Sequence, residues 1–195
     1  MTWKEYFNIP NTLCYLRILL IPVFMVRYLT AGTAEDYVQA AAVLLLSGLT
    51  DCLDGLIARR YHMVTEWGKM IDPIADKLTQ GAVAVSLMLR VDGMGYLFLL
   101  LVVKELFMGI NGLILLRRGK KLDGARWFGK VSTAVFYTVT FLMVAFPLMG
   151  RGLAVTLMVI SGAFLTLSLA LYFPMYVRMY RSLRRQGEDG EDKTE

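Results

Sequence analysis

Long apolar runs recur along almost the whole chain, separated by short polar connections. Six of them predict membrane-spanning helices, over roughly residues 10–30, 36–59, 70–91, 95–116, 128–148 and 152–177. Each is near the ~20 residues that cross the hydrocarbon core of a bilayer. Ahead of the first run, Thr2–Asn8 carries Trp3, Tyr6 and Phe7. That pattern predicts a short helix lying in the headgroup layer, where aromatic rings anchor. From Arg181 the chain turns polar and ends QGEDGEDKTE, a stretch too poor in apolar residues to bury a core. The expected architecture is an all-α integral membrane protein, with a membrane domain over residues 1–180 and a polar, disordered cytoplasmic tail over 181–195.

Composition agrees. Apolar residues make up 56% of the 195 and charged residues 19%, against ~45–50% apolar in soluble domains. This excludes a soluble enzyme, a secreted disulfide scaffold and a disordered chain. The opening residues MTWKEYFNIPNT lack an apolar stretch, so no cleavable signal is expected. Cys14 and Cys52 both lie in apolar segments and read as thiols. The formal charge of +5 points to an anionic membrane surface rather than to nucleic acid. Charge also sets orientation. Fifteen Lys and Arg side chains fall on the side that carries both termini, and only Arg27, Arg90 and Arg151 on the other. The positive-inside rule then predicts cytoplasmic termini and an even number of spans.

Some charges fall where a membrane penalises them. Arg17, Asp51, Asp54, Asp72, Asp76, Lys77, Lys104 and Glu105 lie within or at the edges of predicted spans. An acidic residue at a helix centre costs about 2.5–3.5 kcal/mol on insertion scales, and intramembrane carboxylates are functional by default. Asp51 and Asp54 are spaced i,i+3 on the second span, and Asp72 and Asp76 i,i+4 on the third, so each pair shares a helix face. The short connection 60–69 makes these spans antiparallel neighbours, with the carboxylates at similar depth, roughly 5–10 Å below the cytoplasmic end. At ~6 Å separation each ionised pair repels by about 3 kcal/mol. Either some are protonated or cations sit among them. An all-oxygen donor set favours hard ions, Mg²⁺, Mn²⁺ or Ca²⁺, over zinc. Two divalent ions balance the four charges, a pattern suited to phosphoryl chemistry.

Gly55, Ala58 and Gly68 share helix faces with these aspartates. Such small residues leave room for a ligand or let helices pack closely. Arg59, one step outward, can fork onto phosphate oxygens or serve as a positive-inside anchor. Pro73, directly after Asp72, either starts the third span or kinks it.

The stretch from Asp51 to Asp76 fits D-x2-D-G-x2-A-R-x8-G-x3-D-x3-D without a mismatch, and in this it resembles the CDP-alcohol phosphatidyltransferase family. The segments NIPNTLCYLR and IDPIADKL look like two of its branches, the bacterial phosphatidylglycerophosphate synthases and the eukaryotic-type cardiolipin synthases. The resemblance implies that Asp51 and Asp72 bridge two divalent ions, Mg²⁺ or Mn²⁺, and that Asp54 ligates one. Asp76 ligates the other and acts as general base. It implies that Gly55 and Arg59 hold the CDP moiety of CDP-diacylglycerol, with Thr65 touching the diphosphate and Asn11 a nucleotide contact. Ala58 and Gly68 complete that pocket. No organic cofactor is expected. A homodimer in the cell membrane, with its active site facing the cytoplasm, is implied as well.

The acceptor stays open at this point. Lys104, Lys130, Arg117 and Arg118 are the basic candidates to receive it. The resemblance implies glycerol 3-phosphate first, giving phosphatidylglycerophosphate and CMP. Gly112 stands where the phosphatidylglycerophosphate synthases usually carry an arginine, as it does in cardiolipin synthases, so phosphatidylglycerol is the alternative acceptor. A divalent-cation transporter would also place carboxylates in the membrane, but the four lie near one surface and no repeated half is visible in the chain.

Overall fold

The computed structural model describes residues 6–118 and 126–191, with side chains described through Ser182. Among the described residues the chain is helical, without a strand. The elements are α1 Ile9–Thr30, α2 Ala34–Arg60, α3 Glu66–Met88, α4 Met94–Arg117, α5 Trp127–Ala145 and α6 Arg151–Glu191. The interfacial helix expected over Thr2–Asn8 lies mostly outside the described residues. Of it, Tyr6 packs edge-on to Trp67 at 5.2 Å and Phe7 lies 5.9 Å from the Tyr15 ring. The backbone of α6 continues to Glu191, past Arg181, where the polar tail was expected to begin.

Side-chain caps set the helix starts. Asn8 accepts from the Asn11 amide at 2.8 Å and opens α1, with Pro10 in its first turn. Thr33 and Asp36 form a reciprocal capping box at the start of α2. Thr65 accepts from the Gly68 amide at 3.0 Å and opens α3. Each satisfies donors that a helix N-terminus leaves unpaired. The Thr65 cap starts α3 four residues before the expected position 70, so Pro73 lies inside the helix and does not begin it.

Length and apolarity are enough for membrane crossing in α1, α2, α4, α5 and the Arg151–Ser182 part of α6. Helix α3 falls short because Glu66, Lys69, Asp72, Asp76 and Lys77 crowd its first half. Large apolar side chains point outward along the helices, among them Leu19, Leu45, Leu99 and Leu167. Water does not accommodate so much exposed hydrocarbon, whereas a bilayer does, and helices satisfy their own backbone there. The chain is a multi-pass membrane protein.

The chain divides into two compact units. The first holds α1, α2 and α3 with Tyr137–Ala154. Within it α1 is the helix on which both α2 and α3 pack. Away from the acidic cluster, the Arg90 guanidinium donates to the carbonyls of Leu29 and Ala31 and to the Tyr37 hydroxyl. The second unit is built on a buried cluster of Leu115, Tyr172 and Tyr176. In it the Phe128 ring meets Tyr172 at 4.6 Å, and the Tyr180 hydroxyl donates to Asn111 Oδ1 at 3.0 Å.

Candidate active site

The first unit is organised around Arg17, which α1 carries in mid-helix at 1% exposure. Its Nη2 lies 2.6 Å from Asp51 Oδ1 and 2.5 Å from Asp54 Oδ2. Its Nη1 lies 2.5 Å from Asp76 Oδ1 and 3.4 Å from Asp72 Oδ1. The four carboxylates, paired by spacing on α2 and α3, thus meet through a side chain of α1. The spacing of the aspartates requires protons or cations among them, and the chain supplies one cation itself. The signal was present, since Arg17 is a charge in the middle of an apolar run. What a lone sequence lacks is the face α1 turns to its neighbours.

One guanidinium against four carboxylates leaves negative charge in excess. The donor atoms form two overlapping groups, Asp51 with Asp72 and Asp76, and Cys14 with Asp54 and Asp72, each with its atoms within 4.8 Å of one another. Ligands ~2.1–2.4 Å from a hard ion are separated by up to about twice that distance. The residues therefore fit a metal ion, and the sharing of Asp72 fits two neighbouring ones.

A cavity of about 410 Å³ opens beside the cluster. Its walls bring together Asn11, Cys14, Asp51, Asp54, Gly55, Ala58, Arg59, Thr65, Gly68, Asp72 and Asp76. The two glycines differ in what they do. A Cβ on Gly55 would meet only the flexible Arg59 side chain, in ordinary contact at 3.6 Å, and would project into the cavity that both residues line. A Cβ on Gly68 would fall 2.6 Å from Asn11 Oδ1 and 3.1 Å from Thr65 Oγ1, so there the missing side chain serves close packing. Thr65 Oγ1 also accepts from Asn11 Nδ2 at 3.2 Å, which ties the starts of α1 and α3 together. Arg59, exposed, folds its Nε onto the Gly55 carbonyl at 2.9 Å.

The basic residues expected at an acceptor lie in the second unit. Lys104 is buried and pairs with Glu105 at 3.1 Å. Arg117 and Arg118 lie exposed at the end of α4, with the Arg118 guanidinium 5.9 Å from the Tyr180 ring centre, and Lys130 is exposed in the first turn of α5.

Two further residues at the cluster had no assigned role in the sequence. Cys14 is 3% exposed, and its Sγ lies 3.6 Å from Asp72 Oδ1. Tyr137 donates its hydroxyl to the backbone carbonyl of Asp76 at 3.3 Å. With Arg17, Asp51 and Asp76 it borders a second, mainly apolar cavity of about 280 Å³.

Comparison with known proteins gives a consistent picture. The family model described as CDP-alcohol phosphatidyltransferase matches residues 7–172. A probable phosphatidylglycerophosphate synthase of Mycobacterium tuberculosis is 33% identical over 160 residues, which is 81% of this chain and 75% of the relative. A CDP-diacylglycerol–glycerol-3-phosphate 3-phosphatidyltransferase of Rickettsia typhi is 40% identical over 107 residues, 54% of this chain and 58% of its own. The protein of that name from Bacillus subtilis is 29% identical over 179 residues, covering 80% of this chain and 92% of its own.

Proposed function

This chain belongs to the CDP-alcohol phosphatidyltransferase family, and we propose that it transfers a phosphatidyl group from CDP-diacylglycerol to a hydroxyl of glycerol 3-phosphate, releasing CMP. The observation that carries this reading is the meeting of four aspartates at one cavity beside Gly55 and Arg59. Relatives named for the same transfer support the choice of acceptor.

In this reading Asp51, Asp54, Asp72 and Asp76 hold two Mg²⁺ or Mn²⁺ ions. When bound, these withdraw charge from the diphosphate and from the departing CMP. The chain's own residues do the rest. Arg17 holds the carboxylates in register through its four contacts. The cavity wall at Gly55, without a side chain, admits the CDP moiety, and Arg59 forks onto phosphate oxygens. Ala58, Thr65, Gly68 and Asn11 shape the remainder of that pocket. Asp76 takes the proton of the acceptor hydroxyl as its oxygen bonds to the β-phosphorus and the bond to CMP breaks. A carboxylate is a weak base for an alcohol, so proton removal accompanies attack. Lys104, Lys130, Arg117 and Arg118 receive the acceptor phosphate.

The finer architecture belongs to the same proposal: six spans, cytoplasmic termini, a cell-membrane location with the cavity facing the cytoplasm, and a homodimer. Gly112, where the resemblance would put an arginine in a phosphatidylglycerophosphate synthase, is what supports the alternative acceptor, phosphatidylglycerol. The test is purified protein with CDP-diacylglycerol, Mg²⁺ and each radiolabelled acceptor in turn. Label from glycerol 3-phosphate entering lipid is the expected result. Label from phosphatidylglycerol alone reassigns the chain to cardiolipin synthesis, and CMP release with neither acceptor overturns both. In the same assay Asp76→Asn is expected to lower kcat by ~10²–10⁴ while leaving CDP-diacylglycerol binding within a few-fold. Near-full turnover would remove Asp76 from the base role.

A further inference from the structure

Helix α3 carries two of the four carboxylates on its weakest stretch. Pro73 lies inside the helix, directly after Asp72. A proline there has no amide to give the carbonyl four residues back, and its ring crowds that carbonyl, so helices bend at such points. Asp76 follows within one turn, its side chain 46% exposed. Two hydroxyls take hold of the main chain just beyond the proline. Thr79 Oγ1 donates to the Ala75 carbonyl at 2.9 Å, and the Tyr137 hydroxyl donates to the Asp76 carbonyl at 3.3 Å. The first bond stays within α3. The second comes from α5, through a residue that belongs to the same compact unit as Asp76. The Tyr137 ring borders the apolar cavity with Leu44, Gly48 and Phe141, while its hydroxyl reaches the main chain of the cluster. An apolar body with a polar tip suits a tyrosine to that boundary. Filling space there asks for a ring and no hydroxyl.

We propose that Tyr137 is a positioning residue for the transfer: its hydroxyl tethers the Asp76 main chain and so keeps the Asp76 carboxylate turned toward the metal centre and the acceptor hydroxyl. The inference rests on the reading of Asp76 as general base and metal ligand, and adds the side chain that holds it in place. Arg17 grips one carboxylate oxygen of Asp76 at 2.5 Å, which fixes the tip of the side chain, and Tyr137 fixes its root. With both ends held, the second oxygen keeps one direction. That matters because a misplacement of ~1 Å at a reacting group can cost ~10²-fold in rate. Tyr137 acts through Asp76 alone.

The experiment compares the full-length parent in detergent with Tyr137→Phe, which keeps the ring and loses the hydroxyl. Phe141→Leu serves as a control, because it alters the packing of the same cavity and leaves the tether intact. Each is measured per folded molecule for kcat and KM with CDP-diacylglycerol, glycerol 3-phosphate and Mg²⁺. Affinity for Mn²⁺ alone is measured by electron paramagnetic resonance. Tyr137→Phe is expected to lower kcat about three- to tenfold, the weight of one hydrogen bond. KM for CDP-diacylglycerol should stay within about twofold, and Mn²⁺ should bind about threefold more weakly or worse. Phe141→Leu is expected to lower Tm and leave kcat and Mn²⁺ affinity near the parent values. Unchanged kcat or unchanged Mn²⁺ affinity in folded Tyr137→Phe, a loss expressed in KM instead of kcat, or an equal loss in Phe141→Leu overturns the proposal and leaves the transferase standing. A parent that transfers to neither acceptor counts against the transferase, and the Mn²⁺ measurement then decides the tether by itself.

Discussion

Arg17 is a long cationic side chain placed where a bilayer penalises charge, and its surroundings explain why it is kept. Removing one partner from a buried, multiply paired ion cluster costs about 3–5 kcal/mol, because the charges left behind lose their neutraliser. Here four carboxylates would be left behind. Arg17→Met is therefore expected to make folding depend on divalent ions. Thermal unfolding in detergent should show a much larger drop in Tm on adding EDTA for the variant than for the parent, and an equal drop would mean that Arg17 does not neutralise the quartet. Gly68→Ala tests the packing on the opposite wall. Its new Cβ would displace Asn11 from Thr65, an overpacking cost of about 1–3 kcal/mol, and KM for CDP-diacylglycerol should rise severalfold with kcat less affected. Most of the site was legible from spacing alone. Two i,i+3/i,i+4 acidic pairs at matching depth need only helix geometry to be brought together. Arg17 and Cys14 were not legible as partners, because both reach the cluster from a third helix whose rotation no pattern in a lone apolar run discloses.

Helix boundaries were readable wherever a cap residue punctuates an apolar run, as at Asn8 and Thr33, and least readable at α3. Charges in its first half mask its apolar pattern, and Pro73 offers a false start. The true start is Thr65, whose hydroxyl closes the first turn and also receives Asn11. One cap residue thereby fixes the helix and the distance between α1 and α3. At the other end of the same three-helix unit, Arg90 performs a similar service. It gathers the Leu29 and Ala31 carbonyls, which the end of α1 leaves without amide donors, and the Tyr37 hydroxyl near the start of α2. Charge counting read this residue only as one of three cations on its side. Hydrogen bonds from a charged donor contribute about 1.5–3 kcal/mol each. Arg90→Met should lower stability by roughly 2–4 kcal/mol, seen as a lower Tm in detergent, while CMP release per folded molecule stays near the parent value. A variant that keeps its Tm but loses turnover would instead move Arg90 into the chemistry.

At the scale of the whole molecule α3 decides how many times the chain crosses the bilayer. Five helices are apolar enough to cross on composition, yet α3 at 23 residues reaches roughly 34 Å at 1.5 Å per residue, enough for a ~30 Å core. Its charged residues fall in its first half, so an apolar second half from Leu78 to Met88 remains to traverse the membrane. With α3 crossing, three crossings separate Tyr61 from Leu148, and the two lie on opposite sides. With α3 lying at the surface, two crossings separate them, and they lie on the same side. Both positions are well exposed, at 61% and 85%. Single-cysteine variants Tyr61→Cys and Leu148→Cys, made in a background with Cys14→Ser and Cys52→Ser, convert this into a labelling measurement with a membrane-impermeant maleimide. In the proposed orientation the connection around residue 61, with its excess of Lys and Arg, faces the cytoplasm. Tyr61→Cys should label in inside-out vesicles and Leu148→Cys in right-side-out vesicles. Labelling of both from one side would exclude α3 as a span and leave Asp72 and Asp76 on a helix lying along the surface. The contacts of Asp72 and Asp76 with the mid-helix Arg17 argue against that arrangement, because they draw α3 down to the depth at which α1 is already inside the membrane.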